Sequence, residues 1–369
     1  MKRPVPPGLL HLEGALSALG DAGLLRKRPQ PYRVDTVSFC SNDYLGLASP
    51  QGESSPTGAG ASRLVAGEHL EHQRLEGALA EWLDHESALL FTSGYAANVG
   101  LVSSLAASAD DLILSDALNH ASIVDGCRLS RAQTTVFPHL DVDAVRSELR
   151  SRRTSRAWVV TESYFSMDAD SPDLRGLRAA CDEYGAALVV DEAHAIGVLG
   201  PGGRGLLAAA GVAADVTVGT FGKAFGGAGA FVVGCEALTA WLWNRARSFV
   251  FSTGLSPSLA ASSLAALEKI RSSPELLEAT ALRATELREG LLALGLQPLG
   301  HGHIVPWLIG DSREAVRIAT ALQARGFAVQ AIRPPSVPAG TARLRLTASA
   351  RQSAEDIRRL LSAIAEVSA

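Results

Sequence analysis

Six short apolar runs without polar alternation recur through the first two-thirds of the chain. They are ALLFTSG (88–94), DLILSD (111–116), AWVVTES (157–163), AALVVDEAH (186–194), VTVGTF (216–221) and AFVVGC (230–235). Short stretches this rich in Val, Leu and Ile predict strands buried on both faces. Helical patterns such as YAANVGLVSSLAA, ASIVDGCRLSRA and DLRGLRAACDEYG lie between several of them. That alternation predicts an α/β fold around a mainly parallel sheet.

From about residue 256 the pattern changes. Two long helical stretches (257–272 and 274–294) lead to the strand candidates HIVPWLIG, FAVQAI and ARLRLTAS. The chain closes on SAEDIRRLLSAIAEV, a predicted helix with Ser353 as its N-cap. Residues 1–25 read as an amphipathic helix, because His11, Glu13 and Asp21 interrupt the apolar positions. The expected organisation is an N-terminal helical segment (1–38), a large α/β domain (39–255) and a smaller α+β domain (256–369).

In such folds functional sites gather at the carboxyl ends of the strands. Here the polar residues at those ends are Ser93, Asp116, Glu162, Asp191 and Thr220.

Composition narrows the function. With 369 residues, 47% of them hydrophobic and 20% charged, the chain can build a large core. A formal net charge of −4 argues against a nucleic-acid-binding surface. The cysteines at 40, 127, 181 and 235 are scattered, with no C-x-x-C pair, which fits a reducing compartment. No stretch approaches the roughly 20 apolar residues that cross a bilayer. A cytoplasmic protein without membrane contact is expected.

Three chemistries fail on spacing. VVDEAH suggests a nucleotide hydrolase, but the one Gly-Lys pair, at 222–223, is followed by Ala224 and has Thr217 where a phosphate loop needs glycine. His69/His72 and His301/His303 lack the glutamate and the cysteine pairs of zinc sites, so no metal is expected. A G-x-S-x-G nucleophile elbow is missing as well.

Lysine supplies the remaining lead. Of 34 Lys plus Arg residues only four are lysine: Lys2, Lys27, Lys223 and Lys269. Lys223 sits in VGTFGKAFGG, a glycine-rich turn after a strand-like run. Unlike arginine, lysine can lose its proton and attack a carbonyl to form a Schiff base. Pyridoxal 5'-phosphate needs such a lysine, an acid for its ring nitrogen and anion-binding groups for its phosphate. Asp191 is a candidate acid, closing a buried strand upstream of Lys223. Gly94 and Tyr95 open a helix whose N-terminus favours an anion. Thr220, Ser252 and Thr253 add hydroxyls.

These motifs, taken in order, resemble the α-oxoamine synthase family of fold-type I pyridoxal-phosphate-dependent transferases. The resemblance runs through SNDYLGL, GAGASRLVAG, LLFTSGYAANVG, LNHASIVDGCRLS, TESYFSMDADSPDL, DEAHAIGVLGPGGRG, TFGKAFGGAGA and RPPSVPAGTARLRLT. It implies that Lys223 bonds to the cofactor aldehyde and takes the Cα proton of the amino acid, and that Asp191 pairs with the ring nitrogen. By the same resemblance His120 stacks on the ring and meets substrate. His194 bonds the phenolic oxygen, with Ser166 close by. Gly94, Tyr95 and Thr220 serve the cofactor and its phosphate, which Ser252 and Thr253 reach from the second subunit of a homodimer. Arg345 holds the substrate carboxylate, assisted by Asn42, and Arg26 and Ser336 take substrate-contact positions. The last stretch looks most like the family member that condenses L-alanine with a pimeloyl thioester, carried on CoA or acyl-carrier protein, in biotin biosynthesis.

Some positions depart from the family pattern. Ala169 and Ala195 stand where glycine is usual, Leu140 where asparagine is common, and Ser336 where threonine is usual. Glu162 reads equally as a support for the site or as a buried structural acid. Two rivals remain open: the same chemistry with glycine and acetyl-CoA, and a non-catalytic pyridoxal-phosphate-binding regulator. Retention of Lys223, His120 and Arg345 speaks against the second.

Overall fold

The computed structural model describes residues 20–22, 37–39, 44–45, 47 and 56–368. Arg26 and Asn42 lie outside them. The chain divides into two compact units. One comprises 42–282 with 349–351; the other comprises 283–348 and 352–369 with the described residues before 42.

In chain order the strands begin with β1 (Val37–Ser38), β2 (Ser87–Phe91), β3 (Asp111–Asp116) and β4 (Gln133–Phe137). They continue with β5 (Arg156–Glu162), β6 (Ala187–Asp191), β7 (Val216–Thr220) and β8 (Ala230–Gly234). The larger unit holds a seven-stranded sheet in the order β2-β8-β7-β6-β5-β3-β4. Strand β8 runs antiparallel to both neighbours, and the other pairings are parallel. The reversal follows from the connection: residues 221–229 return from β7 to β8 without a crossover helix, so the two strands must oppose each other.

Each buried strand divides its side chains between two layers, as a period of two dictates. Leu89, Phe91, Val218 and Val232 pack with Leu101 and Val102 of α2 (Gly94–Leu105), while Leu90, Phe231 and Val233 pack with Leu75 and Leu79 of α1 (Leu70–Leu83). Toward β4, Leu112, Val159 and Leu188 meet Val145 and Leu177, which lie on the helices α4 (Val142–Ser151) and α5 (Leu174–Tyr184). The helix between them and α2 in sequence is α3 (Ala121–Leu129). Full burial of each such side chain contributes about 1.5–3 kcal/mol. Packing between β7 and β8 leaves no room for a side chain at Gly219, where a Cβ would come within 2.2 Å of the Phe231 ring.

Six strands coincide with the apolar runs. The seventh, β4, was not among them. It is an edge strand in which only Phe137 is buried, so QTTVF carries little hydrophobic signal.

The smaller unit has a three-stranded antiparallel sheet, β11 (Ala331–Ile332), β12 (Ala342–Thr347) and β9 (Ile304–Gly310), besides a pairing of β1 with β10 (Phe327–Ala328). The expected strand 327–332 is thus split in two. At the last helix Ser353 Oγ accepts the Asp356 N–H at 3.1 Å, while Asp356 accepts the Ser353 N–H at 2.9 Å. This reciprocal cap bears out the expected helix start. Among the described residues no helix is long and apolar enough to cross a membrane.

Candidate active site

Strand register gathers the candidate residues along one edge of the larger sheet. Phe91 and Thr220, the last residues of β2 and β7, both pair with Ala230, the first residue of β8. Asp191 pairs with Glu162 on one side and Val218 on the other.

The turn after β7 is tied down around Lys223. Thr220 Oγ1 donates to the Gly229 carbonyl at 2.9 Å and accepts the Gly222 N–H at 3.2 Å. The N–H of Gly226 bonds the Lys223 carbonyl at 2.9 Å, and that of Gly227 bonds the Phe221 carbonyl at 2.8 Å. Phe221 and Phe225 are buried beside one another, with ring centroids 5.4 Å apart. The two aromatic anchors and the carbonyl bonds hold the half-buried Lys223 at the sheet edge.

Asp191 is held from two directions. Its Oδ1 accepts the Ala193 N–H at 2.8 Å, and its Oδ2 accepts from Asn98 Nδ2 at 2.7 Å. The next acid has a different environment. Glu192 Oε1 accepts the N–H groups of Leu206 and Leu207, and burial pushes its carboxyl up to about 7. A Cβ at Gly205 would lie 2.0 Å from Glu192 Oε2, so glycine is required there. The acidic pair of VVDEAH therefore divides, Asp191 at the site and Glu192 in the scaffold.

His120 caps α3. Its backbone N–H donates to Glu162 Oε1 at 2.7 Å, and its Nδ1 lies 2.7 Å from Ser122 Oγ. Although the residue is exposed, partial desolvation and the Lys223 charge hold the imidazole below its ordinary pKa, against the pull of Asp191. Glu162 is buried, and desolvation followed by the Asp191 charge raises its carboxyl pKa. Its Oε1 ties the backbone just before α3 to the end of β5. His194 Nδ1 is 3.0 Å from the hydroxyl of the fully buried Tyr44, which sets the ring's orientation.

Gly94 opens α2 behind the N-cap Ser93, whose Oγ accepts the Ala96 N–H at 3.1 Å. A Cβ on Gly94 would be 3.9 Å from Thr220 Oγ1, so this helix start adjoins the Lys223 turn. Tyr95 is exposed and hydrogen-bonds Asp125. Ser252 and Thr253 line a small cleft with Arg63, Phe91 and Thr92. Arg63 braces that cleft: it is buried, forks onto Glu68 and Glu76, and stacks over Trp243 and Phe249.

Ser166 is half-buried in the turn after β5, where the Ala169 N–H bonds the Phe165 carbonyl at 2.8 Å. His139 bridges that turn to β3, with Nδ1 2.7 Å from Asp116 Oδ1 and Nε2 3.1 Å from Asp170 Oδ2. Burial opposes the ring's charge, but the two carboxylates outweigh it and push the pKa up to about 9.

Arg345 and Ser336 belong to the smaller unit. Arg345 is buried in β12, opposite Pro306 of β9, and Arg343 shares its sheet face while Leu344 and Leu346 fill the core behind. Ser336 is exposed. Sequence reading did not single out Asn98, Ser122, Tyr44 or His139. Asn98, a polar residue in the middle of an apolar helix, is the one it had the means to find.

A sequence model of the family described as aminotransferase class I and II matches residues 34–364. The chain belongs to this family. The 8-amino-7-oxononanoate synthase of Anaeromyxobacter dehalogenans is 46% identical over 343 residues, which span 90% of this chain and 86% of that protein. A serine palmitoyltransferase structure from S. paucimobilis, with a bound PLP-myriocin adduct, has a TM-score of 0.90 at 28% identity, covering 99% of this chain and 98% of that one. For an 8-amino-7-oxononanoate synthase from Francisella tularensis the TM-score is 0.75 at 26% identity, covering 90% of this chain and 97% of that one. The chain is a fold-type I, pyridoxal-phosphate-dependent C-acyltransferase of the α-oxoamine synthase type.

The donor set of this α-oxoamine synthase fits its cofactor. Each Asp191 oxygen receives one N–H and has a second lone pair left for a protonated ring nitrogen. The helix start at Gly94, beside Thr220, offers N–H groups suited to a phosphate. A flexible amine stands on the next turn.

Proposed function

We propose that this enzyme condenses L-alanine with a pimeloyl thioester, releasing CO2 and the thiol carrier to form 8-amino-7-oxononanoate. The reaction class is supported by one arrangement above all: an Asp191 carboxylate braced by Asn98 and the Ala193 N–H, on the same sheet edge as the Lys223 turn. The choice of substrates is supported by the likeness to synthases of that name across most of the chain.

When bound, pyridoxal phosphate supplies an electron-withdrawing ring that weakens the Cα–H bond of the amino acid and later its bond to the carboxylate. Lys223 would hold the cofactor aldehyde and then, as the free amine, move the proton at Cα. Asp191 would keep the ring nitrogen protonated, and His194 would bond the phenolic oxygen. Gly94, Tyr95, Thr220 and Ser166 would seat the cofactor. Ser252 and Thr253 would serve the phosphate of the second subunit in a homodimer. His120 would meet the substrate over the ring. Arg345 would orient the substrate carboxylate through its guanidinium fork, with Ser336, Arg26 and Asn42 at further substrate contacts. The thiol carrier is CoA or acyl-carrier protein, and the enzyme works in the cytoplasm.

Mass spectrometry of the product from L-alanine and pimeloyl-CoA tests this reading. Appearance of 8-amino-7-oxononanoate with stoichiometric thiol release is expected. The likeness to serine palmitoyltransferase keeps a second reading open, with L-serine and a long acyl thioester. Product from that pair, or from glycine and acetyl-CoA, without product from the first would overturn the substrate assignment. Absence of thiol release with every acyl donor tried would support a non-catalytic regulator.

A further inference from the structure

Four side chains at the sheet edge form one hydrogen-bonded series. Asn98 is buried in α2 and donates from Nδ2 to Asp191 Oδ2 at 2.7 Å and to Ser122 Oγ at 3.0 Å. A carboxylate only accepts, so the Asn98 atom facing Asp191 is the amide nitrogen. That nitrogen carries two hydrogens, one for each partner. Ser122 Oγ receives a hydrogen from Asn98, and the hydrogen of this fully buried hydroxyl needs an acceptor, which His120 Nδ1 supplies at 2.7 Å. The backbone N–H of Ser122 meets the same ring nitrogen at 3.2 Å. Nδ1 therefore faces two donors, and a proton there would be opposed by both.

We infer that Asn98 and Ser122 are positioning residues that hold His120 as the neutral imidazole with its proton on Nε2. The ring then presents an N–H donor to a substrate oxygen and cannot serve as the base, which leaves proton removal at Cα to Lys223. The consequence for the reaction rests on the proposed function; the tautomer rests on the four side chains and the Ser122 backbone N–H. Charged groups around the ring are Asp191, which favours its protonation, and Lys223, which opposes it; Glu162 accepts the backbone N–H of the same residue.

The closing experiment is long-range 1H–15N NMR of 15N-histidine-labelled protein, with and without pyridoxal phosphate, with the His120 signals assigned through His120→Asn. The expected spectrum shows a pyridine-type Nδ1 and a pyrrole-type Nε2 in both states at neutral pH. In Asn98→Ala the Ser122 hydroxyl loses the donor that orients it and can turn to accept from a protonated Nδ1, so the His120 pKa rises by about one unit. Ser122→Ala leaves only the backbone donor and gives mixed tautomers, whereas Ser122→Thr keeps the hydroxyl and restores the parent pattern. The acid limb of the activity profile should follow the same shifts. A pyrrole-type Nδ1, or an imidazolium at pH 7, in the unsubstituted protein overturns the inference even if the Asn98 and Ser122 variants fail to fold. An Nε2–H ring in a protein that makes no condensation product would sustain the tautomer and sink the proposed function.

Discussion

Two histidines beyond the carboxyl ends of neighbouring parallel strands have opposite charge states, and their partners explain why. His120 follows β3 by four residues and meets the donors of Ser122, beside the Lys223 charge. His139 follows β4 and lies between the carboxylates of Asp116 and Asp170. The first is held neutral, the second charged. Burial opposes the charge at both, so desolvation does not distinguish them. The inventory of donors and acceptors around the ring does. One histidine is the proposed substrate contact, while the other is a charged clamp between the end of β3 and the Ser166 turn.

The strongest disturbance is Lys223→Ala. It should abolish product formation, by at least about 10³-fold, because the amine proposed to hold the cofactor and to move the Cα proton is lost. It should also raise the His120 pKa, since an opposing charge has gone, and NMR titration reads that shift separately from turnover. An unchanged His120 pKa would show that Lys223 does not act on this ring.

Loss of the clamp comes next. His139→Ala leaves the carboxylates of Asp116 and Asp170 without their shared cation, and should destabilise the protein by about 2–4 kcal/mol in chemical denaturation. His139→Gln, which keeps one donor, should fall between. Equal stability of all three proteins would remove the clamp from the account.

The two rings should also respond to pH in opposite directions. His139 is raised from 6.5 to about 9, so its contribution is complete below pH 6.5 and disappears as pH rises through 9. Thermal denaturation should show an alkaline loss in the parent protein that His139→Gln lacks. His120 is lowered, so it disfavours folding increasingly as pH falls below 6.5 toward its folded value, and the acid side of the curve should flatten in His120→Asn.

The smallest effects concern the backbone around the clamp. Ala169 and Leu140 have φ values of 56° and 63°, the left-handed region that favours glycine and asparagine. This explains why glycine and asparagine are usual at these two positions, and nothing in the structure explains the alanine and leucine that replace them. Ala169→Gly and Leu140→Asn should each stabilise by about 0.5–1 kcal/mol in denaturant melts, leaving the pKa of His139 in place. Destabilisation by either would mean that side-chain packing outweighs the strain.

Much of this architecture was legible in advance. The apolar runs located six of the seven strands in the larger sheet, and polar residues at their ends pointed to Asp191, Thr220 and Glu162. Lys223 stood out because arginine supplies nearly every other cation. The strand β4 escaped because an exposed edge carries no continuous apolar run. Asn98 escaped because its importance depends on Asp191, 93 residues away in sequence. Arg26 and Asn42 lie outside the described residues.

Local periodicity was enough to determine the layered α/β core, since burying an apolar strand on both faces depends on residues adjacent in the chain. Which residue types could do the chemistry was equally plain, because only a lysine has an amine that bonds an aldehyde. Only the tertiary structure decided how each side chain is protonated and oriented: that Asp191 is braced by Asn98, that Glu192 is scaffold, that His120 is neutral and His139 charged. Those states arise from hydrogen bonds between distant segments, and the partners become neighbours only when the sheet brings its strand ends to one edge.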